Sequence, residues 1–290
     1  MWLLLAPSFI ACSPETLIRL IRSQEQGRSI SPKMAENSRK VEEYEAHFIA
    51  PAAASILDDL LARTDGNKEV NHSIGDIFSN SKVIEIKKPK QWVSPDAKRT
   101  RCRAVYNTDF FYFAFEVEAK THKAPVPVGS KNQWGAENNV PDLCQSVIYD
   151  DRCEVFLWPV VRNDTGELIL EDQSYYAFEV NRNGQGLLSK THFHRKFDFH
   201  WKGQYHGTMA SFTDATSEFE TFILRIKRSD VGMGHDDGMQ ELRIGLHRGM
   251  STRKPEDLEG DMAWSSWVEP GDDVVDFHRP EMFGSFLLTA

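Results

Sequence analysis

Two short stretches concentrate the side chains of this chain that could do chemistry. The first is Asp150-Asp151-Arg152-Cys153-Glu154-Val155-Phe156-Leu157-Trp158-Pro159, and the second is Tyr175-Tyr176-Ala177-Phe178-Glu179-Val180-Asn181. Both alternate as β-strands do, with successive side chains on opposite faces. Cys153, Val155 and Leu157 fall on one face of the first, and Glu154, Phe156 and Trp158 on the other. In the second, Tyr176, Phe178 and Val180 form an apolar row against the mixed row Tyr175, Ala177, Glu179 and Asn181. Carboxylate, amide and aromatic groups on one face suit a sugar, whose hydroxyls need hydrogen bonds and whose C–H faces stack on rings.

Other groups allow other chemistries. Asp150 and Asp151 can serve as calcium ligands, since hard cations want several oxygens converging from loops; adjacent aspartates are also a common turn signal. A glycosidase would need a second carboxylate across a cleft, and no partner is evident, so the chain is expected not to be an enzyme. His192 and His194 share a face if their segment is a strand, which suits zinc or copper, but no carboxylate or thiol lies at a telling spacing. Arg243, Arg248, Arg253 and Lys254 form a basic group that could attract acidic sugars or form a solvated face. Trp134, Trp264 and Trp267 are further stacking candidates, Trp134 standing out because it lies in a long polar loop.

The elements that must position these groups follow along the chain. Residues 1–33 read as a leader or poorly ordered arm. A helical appendage is expected over 34–72, from the spacing of Val41, Tyr44, Phe48, Ile56, Leu60 and Leu61 with Pro51 as a break. From 75 onward the pattern is β: Val83–Ile86, then Arg101–Tyr106 and Phe110–Glu118 around an Asn107-Thr108-Asp109 turn. Further strands are expected at 153–161, 174–181, 207–213, 219–226, 241–247 and 284–289. Short strands with few helices predict a mainly β chain, an antiparallel β-sandwich of immunoglobulin-like or jelly-roll type with an N-terminal helical appendage.

Composition narrows the partners. The 290 residues are 40% hydrophobic, with 18 Phe and 7 Trp, ample for a core. A net charge of -9 opposes nucleic-acid binding, which needs a basic field. No apolar run approaches the ~20 residues of a membrane-spanning helix. Cys12, Cys102, Cys144 and Cys153 lack CxxC spacing, so no structural zinc site is expected; Cys144 and Cys153 can pair in an oxidising compartment or remain buried thiols. Trp2–Ala11, ending in Phe9-Ile10-Ala11-Cys12, loosely matches a bacterial lipoprotein cleavage site without a preceding Lys or Arg. Export or lipid anchoring is one reading; a cytoplasmic chain, starting at Met1 or Met34, is the other.

The order of the pieces resembles the carbohydrate-binding module family 9-like domains. The residues that carry the likeness are the aromatic strand Tyr106–Val117, the D-x-x-E-[VI]-F strand Asp151–Phe156, and the F-x-V-N strand Phe178–Asn181. They continue with Arg248 at a strand end, the pair Trp264-Ser265, and the H-x-P-x-x-F-G signature His278, Pro280, Phe283 and Gly284. The likeness covers residues 75–290. It implies a β-sandwich that binds mono- or oligosaccharide ends without catalysis, often with calcium, alongside polysaccharide-degrading enzymes in carbohydrate catabolism. It makes Glu154, Asn181, Tyr149, Phe277, Trp134 and Arg248 the sugar-binding candidates, with Asp150 and Asp151 for a metal. The family's two clamping tryptophans are replaced by Ile148 or Tyr149 and by Phe277, a Gln of the Arg-bearing strand by Gly245, and a frequent Arg by Glu179. Two alternatives therefore accompany the sugar reading: a degenerate sandwich acting in protein interaction, and a haem-binding relative using Met209, Met250 or His247.

Overall fold

A computed structural model describes residues 42–62, 72–87, 99–118, 133–163, 165–167, 173–192, 196–210, 219–234, 241–251, 262–269 and 276–289. The leader 1–33 lies outside them. All belong to the second of two compact units, Val41–Ala290. Their strands are β1 (Glu43–Phe48), β2 (Ile84–Glu85), β3 (Thr100–Tyr106), β4 (Phe110–Glu118), β5 (Arg152–Pro159), β6 (Ser174–Asn181), β7 (Gly186–His192), β8 (Lys196–Asp198), β9 (Tyr205–Ala210), β10 (Phe219–Lys227), β11 (Leu242–Ser251), β12 (Met262–Ser266) and β13 (Gly284–Thr289). The helices are α1 (Pro51–Ala62), α2 (His72–Ser79) and the short α3 (Gln133–Glu137), with a 3-10 segment at Asp142–Tyr149. No helix among the described residues is long and apolar enough to cross a membrane.

One sheet holds all these strands, in the order β8-β7-β6-β5-β11-β13-β1-β3-β4-β10-β9, with β12 also on β11 and β2 also on β3. The chain is mainly β, as expected, but in place of an antiparallel sandwich it forms one curled, mixed sheet. β1 runs parallel to both of its neighbours, β13 and β3. The helical appendage is likewise corrected: Glu43–Phe48 is a strand in the middle of the sheet, and helix begins only at Pro51. Tyr44 and Ala46 are buried in alternation, a period-2 pattern that the helical spacing of Val41, Tyr44 and Phe48 concealed. The Tyr44 hydroxyl accepts from the Ala104 N–H (2.8 Å) and reaches the Ala104 carbonyl (3.2 Å), pinning β1 to β3. Pro51 starts α1, where its missing N–H costs nothing.

The sheet curls so that its two arms share a core. Phe111, Phe113 and Phe115 of β4 pack in one cluster with Val155 and Leu157 of β5, Phe178 of β6 and Leu246 of β11. The outer face of the β3-β4-β10 arm is covered by α1 and α2, through Leu57, Leu61 and Phe78 on Val105, Tyr112 and Ile223. Burial on both faces explains why β4 reads as a near-continuous apolar run. The β3–β4 turn is the expected one: Asn107 Oδ1 accepts from the Asp109 and Phe110 N–H groups (2.9 and 2.7 Å). Cys153 lies in the inter-arm core and Cys144 against a separate cluster with Val147, Leu187 and Phe199. Cys102, Cys144 and Cys153 are all free thiols.

Candidate functional site

The outer face of the β6-β5-β11 arm carries the mixed row. Cys153, Val155 and Leu157 point into the inter-arm core, while Phe156 and Trp158 join Tyr175, Ala177, Phe277 and Phe283 on the other side. Strand register sets Glu154 between Glu179 on β6 and His247 on β11. All three are buried.

Arg152 ties this row together. Its Nε lies 2.8 Å from Glu154 Oε1 and 2.9 Å from Glu179 Oε2. Its Nη1 donates to the Val147 and Ile148 carbonyls (3.2 and 2.7 Å) of the 3-10 segment. The guanidinium carbon sits 4.8 Å from the centre of the Trp264 ring, a cation–π geometry. Burial raises the pKa of both carboxyls. For Glu154 the Glu179 charge adds to the rise, and Arg152 opposes it for both. Burial works against the charge on Arg152 as well, but the two glutamates outweigh it and raise its pKa. Two carboxylates share one guanidinium, so the cluster carries an excess acceptor.

Beside it, His247 fills an aromatic wall. Its Nδ1 lies 2.9 Å from Ser266 Oγ, and its ring centre is 4.4 Å from Phe277 and 4.9 Å from Phe156. The buried Nε2 has no hydrogen-bond partner among the described residues. Burial, and then the nearby His278, hold its pKa well below the usual value. A Cβ on Gly245 would stand 2.6 Å from that Nε2 and 3.0 Å from Phe283 Cε1. The missing side chain at 245 is the space these two rings occupy.

The expected site residues divide. Glu154 is central, Phe277 stands in the wall against His247 and Trp264 (5.3 Å), and Tyr149 ends the 3-10 segment, half-buried. Asn181 lies on the same face but builds the β6–β7 turn. Its Nδ2 donates to Asp150 Oδ2 (2.9 Å) and Gln185 Oε1 (3.2 Å), and its Oδ1 accepts from Asn183 and Gln185 N–H groups (3.1 and 3.0 Å). These four bonds use both donors and both lone pairs of the amide. Arg248 is on the opposite face, directly across from Cys153, so one ligand on this face cannot touch both Glu154 and Arg248. Trp134 lies in α3, and its side chain is outside the described residues.

Asp150 and Asp151 are each bonded to a different strand end. Asp150 accepts from Asn181, whereas Asp151 Oδ1 accepts from the Ser251 N–H (2.6 Å) on β11. No group of three or more His, Cys, Asp or Glu suited to a metal occurs among the described residues. His192 bonds Ser174 Oγ (2.8 Å), and His194 lies outside the described residues. His247 and Met250 project from opposite faces of β11 by strand alternation, so they cannot share one haem iron; the Met209 side chain is outside the described residues. Arg152 and the acceptor role of Glu179 were missed, although Arg152 is two residues before Glu154 and so shares its face.

No protein-family model and no curated protein sequence matches the chain. Among solved structures, it resembles a protein from Bacteroides uniformis provisionally described as carbohydrate-binding, with a TM-score of 0.52 and 15% identity over 86% of this chain and 100% of that one. The likeness is one of fold. A carbohydrate-binding module family 9 from Caldicellulosiruptor kristjanssonii is also similar. Its cellotriose complex has a TM-score of 0.46 and 12% identity over 86% of this chain and 94% of that one. Its glucose complex has a TM-score of 0.46 and 10% identity over 86% and 96%.

Proposed function

We propose that this protein binds the ends of mono- or oligosaccharides, without catalysis, on the outer face of the β6-β5-β11 arm. The observation that carries this reading is the Arg152–Glu154–Glu179 cluster, floored by strands and walled by Trp264 and Phe277. Each carboxyl presents two oxygens, and Arg152 Nε engages one oxygen of each. The carboxyl oxygens that Arg152 leaves free are the candidate partners of sugar hydroxyls; they and Phe277 are buried, so the half-buried Trp264 is the ring that a sugar's C–H face would meet. Tyr149 is the candidate rim residue. The fold shared with the Bacteroides protein supports the reading. Both carboxylates rise from the same floor and hold the same nitrogen, an arrangement that suits recognition better than attack on two sides of a glycosidic bond. The physiological role that follows is in carbohydrate catabolism, by holding a polysaccharide-degrading enzyme on its substrate.

Titration calorimetry with glucose, cellobiose, cellotriose and polysaccharide is the test. Saturable binding weaker than about 1 μM is expected, because each hydroxyl exchanges one hydrogen-bonded partner for another. Glu154→Gln, with its melting temperature retained, should lose at least ten-fold in affinity. Absence of saturable heat from every sugar would sink the reading. It would favour a protein-interaction role for the curled sheet instead, which the filling of the Gly245 space by His247 and Phe283 supports.

A further inference from the structure

His247 is a buried titratable side chain of the ligand face that the carbohydrate reading leaves unused. It is 1% exposed, and its ring packs on Phe277, Phe156 and Phe283, with centres 4.4, 4.9 and 6.5 Å away. Ser266, its neighbour across the β11–β12 ladder, bonds Nδ1 (2.9 Å). Nε2 hangs over Gly245, 2.6 Å from where a Cβ there would stand, and has no hydrogen-bond partner among the described residues. Without a side chain at 245 the strand floor has a recess, and this imidazole and Phe283 close it.

The charged and titratable groups around the ring are engaged elsewhere. Glu154, across from it on β5, and Glu179 beyond on β6 both hold Arg152 Nε. On the segment ahead of β13, Asp276 accepts from the His278 N–H (3.0 Å), and Arg279 bonds Glu281 (2.9 Å). The His278 ring bonds the Tyr175 hydroxyl (2.7 Å) and stacks on Phe156 at 5.0 Å. On β11 itself, Arg243 donates to Glu241 (3.0 Å). A neutral imidazole carries one N–H and a protonated one carries two. Protonation therefore makes Nε2 a charged donor buried without an acceptor, which costs far more than a neutral group left unmatched. Burial, and then the charge of His278, oppose that proton. The closed wall is thus favoured above the ordinary imidazole value of about 6.5 and loses ground as pH falls below it.

We propose that His247 is an acid-operated latch of the ligand face: neutral, it closes the recess over Gly245; protonated, it swings to water and opens an apolar recess beside Glu154. The opening concerns the wall alone, whereas the sugar that would enter the recess rests on the carbohydrate reading. The test lowers the pH of the full chain stepwise from about 8 to about 4.5, following near- and far-UV circular dichroism and the emission of an apolar dye. The near-UV signal should fall and dye emission rise about two-fold or more while the far-UV signal holds, as when packing loosens on an intact sheet. The midpoint should move up by about half a pH unit in His278→Gln, which removes a neighbouring like charge. The step should vanish in His247→Phe. NMR of the histidine-labelled wild type should show the His247 ring titrating at the same midpoint, and this readout decides the matter if His247→Phe does not fold. Glucose binding followed along the same titration separates the two readings: an acid step without sugar binding at any pH leaves the latch standing and removes its ligand. Loss of near- and far-UV signals together, an unmoved midpoint in His278→Gln, the same step in His247→Phe, or a His247 ring that titrates away from the step overturns the proposal.

Discussion

Arg152 is the counter-charge to both buried glutamates, so its loss and theirs have opposite consequences. Arg152→Met leaves two carboxylates buried without a cation, and breaking a buried pair from one side costs about 3–5 kcal/mol. Glu179→Gln leaves one carboxylate for one guanidinium and should be tolerated. The pH dependence follows from the raised pKa values of both carboxyls. The folded chain holds protons that the unfolded chain releases, so their contribution is full below the unfolded pKa of about 4.3 and is lost as pH rises through the folded values. Chemical denaturation from pH 5 to pH 8 should show a steeper loss of stability in the wild type than in Glu179→Gln. Parallel profiles would show that Glu179 adds no charge burden to the site.

At the scale of elements, β1 is the hinge of the architecture. It lies between β13 and β3, and it is the strand through which the two arms join. Its register runs from Glu43↔Ser285 to His47↔Thr289 on one side, and it meets Val105 and Tyr106 on the other. Ala46 is fully buried between these neighbours. Ala46→Asp should therefore prevent folding, since an unpaired buried carboxylate costs several kcal/mol, whereas the exposed Glu45→Gln should change stability by less than about 0.5 kcal/mol. Circular dichroism melts of the two variants are the check; a cooperative melt of Ala46→Asp near the wild-type temperature would refute the central placement of β1.

Across the whole molecule, the sheet is completed by strands from near the two ends of the described chain, β1 and β13. Pairing residues some 240 positions apart closes a long loop before the contacts reward it. Folding is expected to be slow, with a main phase on the order of seconds rather than milliseconds. Stopped-flow refolding followed by tryptophan fluorescence measures this directly, and a dominant millisecond phase would show that the arms form without waiting for β13.

Much of the strand pattern was legible before any coordinates. The bounds 174–181 and 284–289 coincide with β6 and β13, because period-2 alternation and flanking turn residues are local signals. Glu154 was placed by its alternation with Val155 and Phe156, whereas Phe277 entered only through its position before the H-x-P-x-x-F-G signature, and Arg248, grouped with Glu154 from the sequence, takes the opposite face. What no local signal carried was pairing. β1 reads as helix until β13 and β3 close around it, and Arg152 is an ordinary strand arginine until register sets Glu179 beside Glu154. The amide of Asn181 is a ligand candidate until the β6–β7 turn uses all four of its bonds. Side-chain type and spacing determined which groups this protein has and which face of a strand each takes. Only the tertiary structure decided which of them meet, because cross-strand partners lie tens to hundreds of residues apart and their burial depends on what the sheet folds against.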